Sequence, residues 1–144
     1  MLPVVIFDID GTLANSGHRQ HFLPDDWDSF VNPEIVINDP PFEPIKRLAH
    51  ILQEKYMLVV ATGRAESDRP VTIEWLWKHN IKVKHIFMRP ENDHREDDVV
   101  KLEMLEKMRA IGLEPWLVID DRDRVVKAWR DAGLTCLQPA EGNF

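Results

Sequence analysis

Apolar residues in this chain come in short unbroken runs separated by stretches of helical period. Val4–Phe7 reads Val-Val-Ile-Phe with no polar alternation, the pattern of a strand buried on both faces. Met57–Ala61 repeats it, Val83–Met88 reads as a third strand interrupted by Lys84 and His85, Trp116–Ile119 as a fourth, and Leu134–Leu137 as the last. Helical stripes fill the gaps. Ile45, Leu48, Ala49 and Leu52 follow Pro44, and Ile73, Leu76 and Trp77 form an inner face after Pro70, with Ser67 or Asp68 as the cap. Asp97 or Asp98 opens a helix with Val99, Leu102, Leu105, Met108 and Ile111 on its apolar side, ending at Gly112. Val125, Val126, Trp129 and Ala132 line a last helix that closes at Gly133. Alternating strands and helices imply right-handed crossovers, hence an α/β fold with a parallel sheet and helices on both faces.

One segment breaks this rhythm. Residues 14–41 show no clean period, although strand-to-helix connections usually need only about 2–6 residues. The excess predicts a small cap or lid inserted after the first strand, within a single domain spanning 1–144. It carries His18, Arg19, His21, Phe22, Trp27 and Phe30. The three aromatics either pin the excursion onto the core or touch substrate. His18 and His21 have no third ligand nearby in sequence, which makes a metal role for them unattractive.

Composition narrows the class. The 144 residues are 44% hydrophobic with net charge −7, enough for one real core and too acidic for an extended nucleic-acid groove. Cys136 is the single cysteine, so neither an internal disulfide nor a cysteine-held zinc is available, and a reducing compartment is the default. No basic leader precedes the first strand and no apolar run approaches the ~20 residues that span a bilayer. A cytoplasmic, membrane-free protein is the expectation.

The chemistry lies where the apolar runs stop. Asp8, Asp10, Gly11 and Thr12 follow the first, Thr62-Gly63-Arg64 the second, Arg89 the third, and Asp120-Asp121-Arg122 the fourth. A parallel sheet gathers such positions along one edge, where ligands bind. Carboxylates crowded there repel by about 4 kcal/mol per pair at roughly 4 Å and an effective dielectric near 20, and Lys101 alone does not offset that. An oxygen-rich, histidine-poor site suits Mg²⁺ shared with a substrate phosphate. A strand-end carboxylate can then attack phosphorus, and Thr62, Gly63 and Lys101 match the groups that hold the equatorial oxygens. Asp10 suits proton transfer, provided its neighbours raise its pKa.

These residues carry a resemblance. Phe7-Asp8-Ile9-Asp10-Gly11-Thr12-Leu13, Thr62-Gly63-Arg64, Lys101 and Asp120-Asp121 resemble the four ordered motifs of the haloacid-dehalogenase (HAD) superfamily of phosphohydrolases. Arg89, Arg95, the run Asp97-Asp98-Val99-Val100-Lys101, and Ile119-Asp120-Asp121-Arg122 are similar to the 3′-phosphatase domain of bacteriophage polynucleotide kinase and its small relatives. The resemblance implies a Rossmann-like sheet, an Asp8 nucleophile, an Asp10 acid/base, a phosphate-binding Thr62 and a charge-stabilising Lys101. It further implies Mg²⁺ held by Asp8, the Asp10 carbonyl and Asp121, with Asp120 in support. The implied activity is removal of 3′-phosphates from polynucleotide ends in nucleic-acid repair.

Gly63, Arg64, Arg89, Arg95 and Arg122 are the expected substrate-binding residues. Together with Arg19 and Arg69 they fall at the active edge, and about half of these arginines are expected to pair with acids such as Glu66, Asp93 and Asp123 instead. No Gly-x-x-x-x-Gly-Lys-[Ser/Thr] occurs, so a kinase activity is not expected of this chain. Two other readings remain. One is a phosphatase of free nucleotides or other small phosphomonoesters. The other is a receiver-like signalling module, disfavoured because its acid pair belongs after the first strand.

Overall fold

The computed structural model describes residues 1–144. Five strands form one parallel sheet: β1 (Leu2–Phe7), β2 (Met57–Ala65), β3 (His85–Arg89), β4 (Leu113–Ile119) and β5 (Cys136–Leu137), in the order β3-β2-β1-β4-β5. Six helices connect them: α1 (Trp27–Phe30), α2 (Pro33–Val36), α3 (Glu43–Leu52), α4 (Arg69–Lys78), α5 (Asp97–Ala110) and α6 (Asp123–Asp131). Val4 and Ile6 face one core with Val59, Met104, Met108, Val126 and Trp129, beneath α5 and α6. Val5 and Phe7 face another with Leu58, Val60, Ala49, Trp75 and Leu76, beneath α3 and α4. Both pleat faces of β1 are therefore covered, which is why its sequence shows no alternation. No helix is long and apolar enough to cross a membrane.

The strand order reverses at β1, which lies between β2 and β4. Crevices at such reversal points, beyond the carboxyl ends of the strands, are where open α/β sheets bind ligands. Two irregularities open the sheet there. Between Ala61 and Ala65 the β2 ladder slips against β3, so Thr62-Gly63-Arg64 leaves the pairing pattern. In β4 the register shifts between Val4 and Val5, leaving Trp116 as the extra residue, half-exposed. The strand consequently begins at Leu113 rather than at Trp116, because Pro115 is tolerated beside this bulge.

Helix faces differ from the expected stripes. On α4, Val71, Thr72, Trp75 and Leu76 are buried, while Ile73 is half-exposed and Trp77 is 84% exposed. On α5 the buried set is Val100, Lys101, Met104, Leu105 and Met108, and Val99 and Ile111 are exposed. The inward faces carry polar contacts as well as packing: Lys101 on α5 meets Asp8 and Asp120, and the Trp75 indole N–H on α4 donates to the Asp39 carbonyl at 2.8 Å. Asp68 caps α4 as expected, whereas α5 is capped one residue earlier than Asp97. The N-caps are Asp68 and Glu96, and neither side chain bonds the helix end.

Residues 14–41 leave and re-enter the body side by side. Asn15 N donates to the Pro40 carbonyl at 2.7 Å and Phe42 N to the Leu13 carbonyl at 2.8 Å. Between these points lie a 3₁₀ turn (Gly17–Phe22), α1 and α2.

Candidate active site

β1 ends in a buried carboxylate. The Asp8 amide donates to the Ile119 carbonyl at 3.0 Å, so the ladder holds the backbone one residue past the strand. Lys101 Nζ bridges Asp8 Oδ1 at 2.9 Å and Asp120 Oδ2 at 2.8 Å, and Trp129 Nε1 donates to the same Asp120 oxygen at 3.2 Å. Thr12 Oγ1 lies 3.3 Å from Asp8 Oδ2 and 3.1 Å from Asp121 Oδ1. Gly11 turns the chain between these groups at φ +85°. A Cβ there would stand 2.2 Å from Asp121 Oδ2 as well as straining the backbone, so glycine is required twice over.

Asp8, Asp120 and Asp121 place one oxygen each within 4.8 Å of one another, all three residues buried. Three carboxylates face one ammonium. Burial raises the Asp8 pKa well above the ordinary carboxylate value, Asp120 and Asp121 raise it further, and Lys101 opposes them. Burial also raises Asp121, with Asp120 adding to it. For Lys101 burial lowers the pKa, but Asp120 and Asp8 outweigh it and hold the amine protonated above its usual range. Two negative charges are left uncompensated in an all-oxygen donor set, which fits a hard divalent cation. Asp8, Asp121 and Asp120 are the residues that would hold it.

Asp10 belongs to a different cluster. Its carboxylate receives Arg64 Nε at 2.9 Å, Arg64 Nη2 at 2.8 Å and Arg19 Nη2 at 3.1 Å. Burial raises its pKa, but the Arg64 and Arg19 guanidinium groups outweigh that and set it below the ordinary carboxylate value. The expected upward shift is thus reversed in the free protein. Behind the arginines sits Asp39, buried, which accepts from Arg19 Nε at 2.9 Å, Arg19 Nη2 at 2.8 Å, Arg64 Nη2 at 3.5 Å and His18 Nε2 at 2.6 Å. Arg64 Nη1 also donates to Thr72 Oγ1 at 3.0 Å.

A third group lies on the far rim. Asp97, in the first turn of α5, pairs with Arg89 Nη2 and, at 2.6 Å, with Arg122 Nη1. Arg89 also donates to the Gly63 carbonyl at 3.1 Å and to the Arg95 carbonyl at 2.6 Å. Arg95 itself turns outward onto Asp93 and Glu103. A Cβ on Gly63 would come within 2.9 Å of Asp97 Oδ1, so this position must stay bare for Asp97 to reach both arginines. Thr62 is buried, its hydroxyl accepting from Arg64 N at 3.2 Å.

These groups line one cleft of about 860 Å³, which holds Asp8, Asp10, Thr62, Gly63, Arg64, Arg89, Arg95, Lys101, Asp120, Asp121 and Arg122. Every named candidate faces it. All six edge arginines, Arg19 and Arg69 included, already have acidic partners, more than the half expected. Asp39, Thr72 and Trp129 were not legible as site residues. A buried aspartate 29 residues from Asp10 gives no spacing signal, and Trp129 reads simply as core.

Comparison with known proteins gives this arrangement a family. Residues 3–144 match the model of the polynucleotide kinase PNKP phosphatase domain. A protein of Autographa californica nuclear polyhedrosis virus, named "Putative bifunctional polynucleotide kinase/RNA ligase", is 30% identical over 128 residues, 88% of this chain and 18% of that protein. A structure of the Pnkp1/Rnl/Hen1 complex contains a chain 27% identical, with TM-score 0.87 over 100% of this chain and 48% of that one. A haloacid dehalogenase-like hydrolase from Streptococcus pneumoniae shares the fold at TM-score 0.71 and 17% identity, over 95% of this chain and 84% of that one. The chain spans about half the length of the matched Pnkp1/Rnl/Hen1 chain and under a fifth of the viral protein. With its carboxylate triad gathered from the ends of β1 and β4 and a family match from Pro3 to the last residue, the chain belongs to the HAD-type phosphatase domain family of polynucleotide kinase PNKP.

Proposed function

We propose that this domain is a Mg²⁺-dependent phosphomonoesterase that removes 3′-phosphates from polynucleotide ends through an aspartyl-phosphate on Asp8. The carrying observation is the buried Asp8, aligned by Lys101 and Thr12 beside two further carboxylates and open to an arginine-rimmed cleft. Asp8, Asp121 and the Asp10 carbonyl, with Asp120 in support, would hold Mg²⁺, whose positive charge would be supplied to the phosphoryl oxygens. Asp8 attacks phosphorus while the P–O bond to the sugar breaks. Lys101 and Thr62 hold the phosphoryl oxygens as their charge grows.

Asp10 handles the protons. In the free protein Arg19 and Arg64 keep it ionised, the state needed to take a proton from water in the second step. An incoming dianionic phosphate adds like charge beside it and competes for the same guanidinium groups, raising its pKa toward that of an acid able to protonate the leaving 3′-oxygen. Water then attacks phosphorus, the acyl-phosphate bond breaks, and inorganic phosphate leaves with Asp8 restored. Residues 14–41 act as the lid, joined to this chemistry through Arg19 and Asp39.

A repair role is supported by the names of the relatives, one a kinase/ligase and one a member of an RNA repair complex. A kinase or ligase partner follows as part of the proposal, as does a cytoplasmic setting. The small-phosphomonoester reading keeps one observation in its favour: net charge −7, with every edge arginine already paired. Hydrolysis of a 3′-phosphorylated oligonucleotide is to be compared with its 5′-phosphorylated isomer and a panel of mononucleotides, with Mg²⁺ and with EDTA. Mg²⁺-dependent preference for the 3′-phosphorylated oligonucleotide supports the proposal. Preference for mononucleotides favours the rival, and full activity in EDTA removes the metal from the mechanism.

A further inference from the structure

The cleft has an apolar wall that the phosphate chemistry leaves unused. Leu23, Trp27, Phe30 and Val31, all from the inserted segment, face the same cleft as Asp8 and Asp10. Their roles differ. Phe30 is half-buried, with the Arg19 guanidinium 4.5 Å from its ring centroid, while the Phe30 carbonyl accepts from Arg19 Nη1 at 3.0 Å. Arg19 in turn holds Asp10 and Asp39, so Phe30 is fixed to the charged floor of the site. Trp27 lies against Phe30 with ring centroids 5.3 Å apart, yet is 60% exposed. An indole left open on a cleft wall and braced from behind by a second ring is a poor solution for folding and a good one for stacking.

We propose that Trp27 is the stacking platform for the nucleobase of the 3′-phosphorylated terminal nucleotide. One guanidinium and one ring link it to Asp10, and the indole lines the same cleft as Asp8, so a nucleotide whose phosphate sits at Asp8 has this wall available to its base. The flat apolar face and the lack of charged partners on it suit any base equally, giving affinity for a terminal nucleotide without sequence preference. This inference rests on the polynucleotide 3′-phosphatase reading and names its base-binding subsite.

The test compares two oligonucleotide 3′-phosphates, one ending in a normal nucleotide and one ending in an abasic sugar. The wild-type protein should favour the base-bearing substrate in kcat/KM by roughly five- to a hundredfold, the range of one base–aromatic stack. The ratio should fall to near one in Trp27→Ala, recover substantially in Trp27→Phe, and stay at the wild-type value in Trp77→Ala, an exposed indole outside the cleft. Because the ratio is internal to each variant, a partial loss of folded protein does not move it. An unchanged ratio in Trp27→Ala overturns the subsite, as does its collapse in Phe144→Ala instead, since Phe144 also faces the cleft. Those results leave the 3′-phosphatase reading intact. Absence of wild-type turnover on any 3′-phosphorylated oligonucleotide overturns that reading and the subsite with it.

Discussion

Asp8 and Asp10 stand two residues apart and serve two electrostatic neighbourhoods. The inner one, Asp8 with Asp120, Asp121 and Lys101, is built by the sheet and α5 and is short of positive charge by two units. The outer one, Asp10 and Asp39 with Arg19 and Arg64, joins the inserted segment to β2 and balances itself. The difference teaches how one loop divides its labour. In the proposed mechanism the group that attacks phosphorus is left wanting a cation, while the group that exchanges protons is held by arginines that a phosphate can recruit.

Substitutions at the two acids should separate these neighbourhoods most sharply. Asp8→Asn deletes the attacking atom and should lower turnover by at least about 10⁴-fold with no phosphoenzyme. Asp10→Asn spares the nucleophile and should lower turnover by about 10²–10⁴-fold. With an activated aryl phosphate, whose leaving group needs little protonation, an acid-stable, hydroxylamine-sensitive label should accumulate on Asp10→Asn alone. A label on Asp8→Asn would place the nucleophile elsewhere.

Next in size is the link between the insertion and the outer cluster. Asp39→Ala leaves buried Arg19 without its principal partner and should cost about 3 kcal/mol in a denaturant titration. Its loss of turnover should be greater on an alkyl phosphate than on an aryl phosphate, because it acts by aligning the arginines on Asp10. Equal losses on both substrates would make Asp39 a purely structural residue.

The charge deficit itself can be measured without turnover. Mg²⁺ at about a hundred times its dissociation constant should stabilise the protein by about 2.7 kcal/mol, a rise in Tm of several degrees. Asp121→Asn should abolish that rise and Asp10→Asn should retain it. A rise retained in Asp121→Asn would move the cation out of the inner cluster.

The smallest effect reads the inner field from behind. Burial, and then Asp120, push the Cys136 thiol from its ordinary 9.0 up to about 11. Between those values the unfolded chain gives up the thiol proton while the folded one keeps it, so stability should fall as pH rises through this window. Cys136→Ala should flatten the fall in denaturation midpoints. A slope unchanged in that variant would trace the alkaline loss to other groups.

How much was legible in the sequence depends on what each residue had to meet. The unalternated run Val4–Phe7 announced a strand covered on both faces, and the acids after it announced the edge where ligands bind, because strand-end placement follows from local pattern alone. Asp8, Thr62 and Asp121 could be placed at that edge for the same reason, whereas Lys101, on a helix, was singled out by the chemistry of a phosphate site and by the family motif. Helix faces were less legible: Trp75 and Trp77 differ by two positions on α4, and the packing of Trp75 into the core, with its N–H on the Asp39 carbonyl, decides which is buried.

The sequence by itself determined the alternation of strands and helices, the side of the sheet that carries the chemistry and the identity of its principal acids, since these depend on contacts near in the chain. Tertiary structure alone decided the direction in which the Asp10 pKa moves. Arg19 and Arg64 reach it from 9 and 54 residues away, and Asp39 fixes both from inside the insertion. A pKa is set by whatever charge lies within a few ångströms, and that proximity exists only once the insertion has folded back over the end of β1.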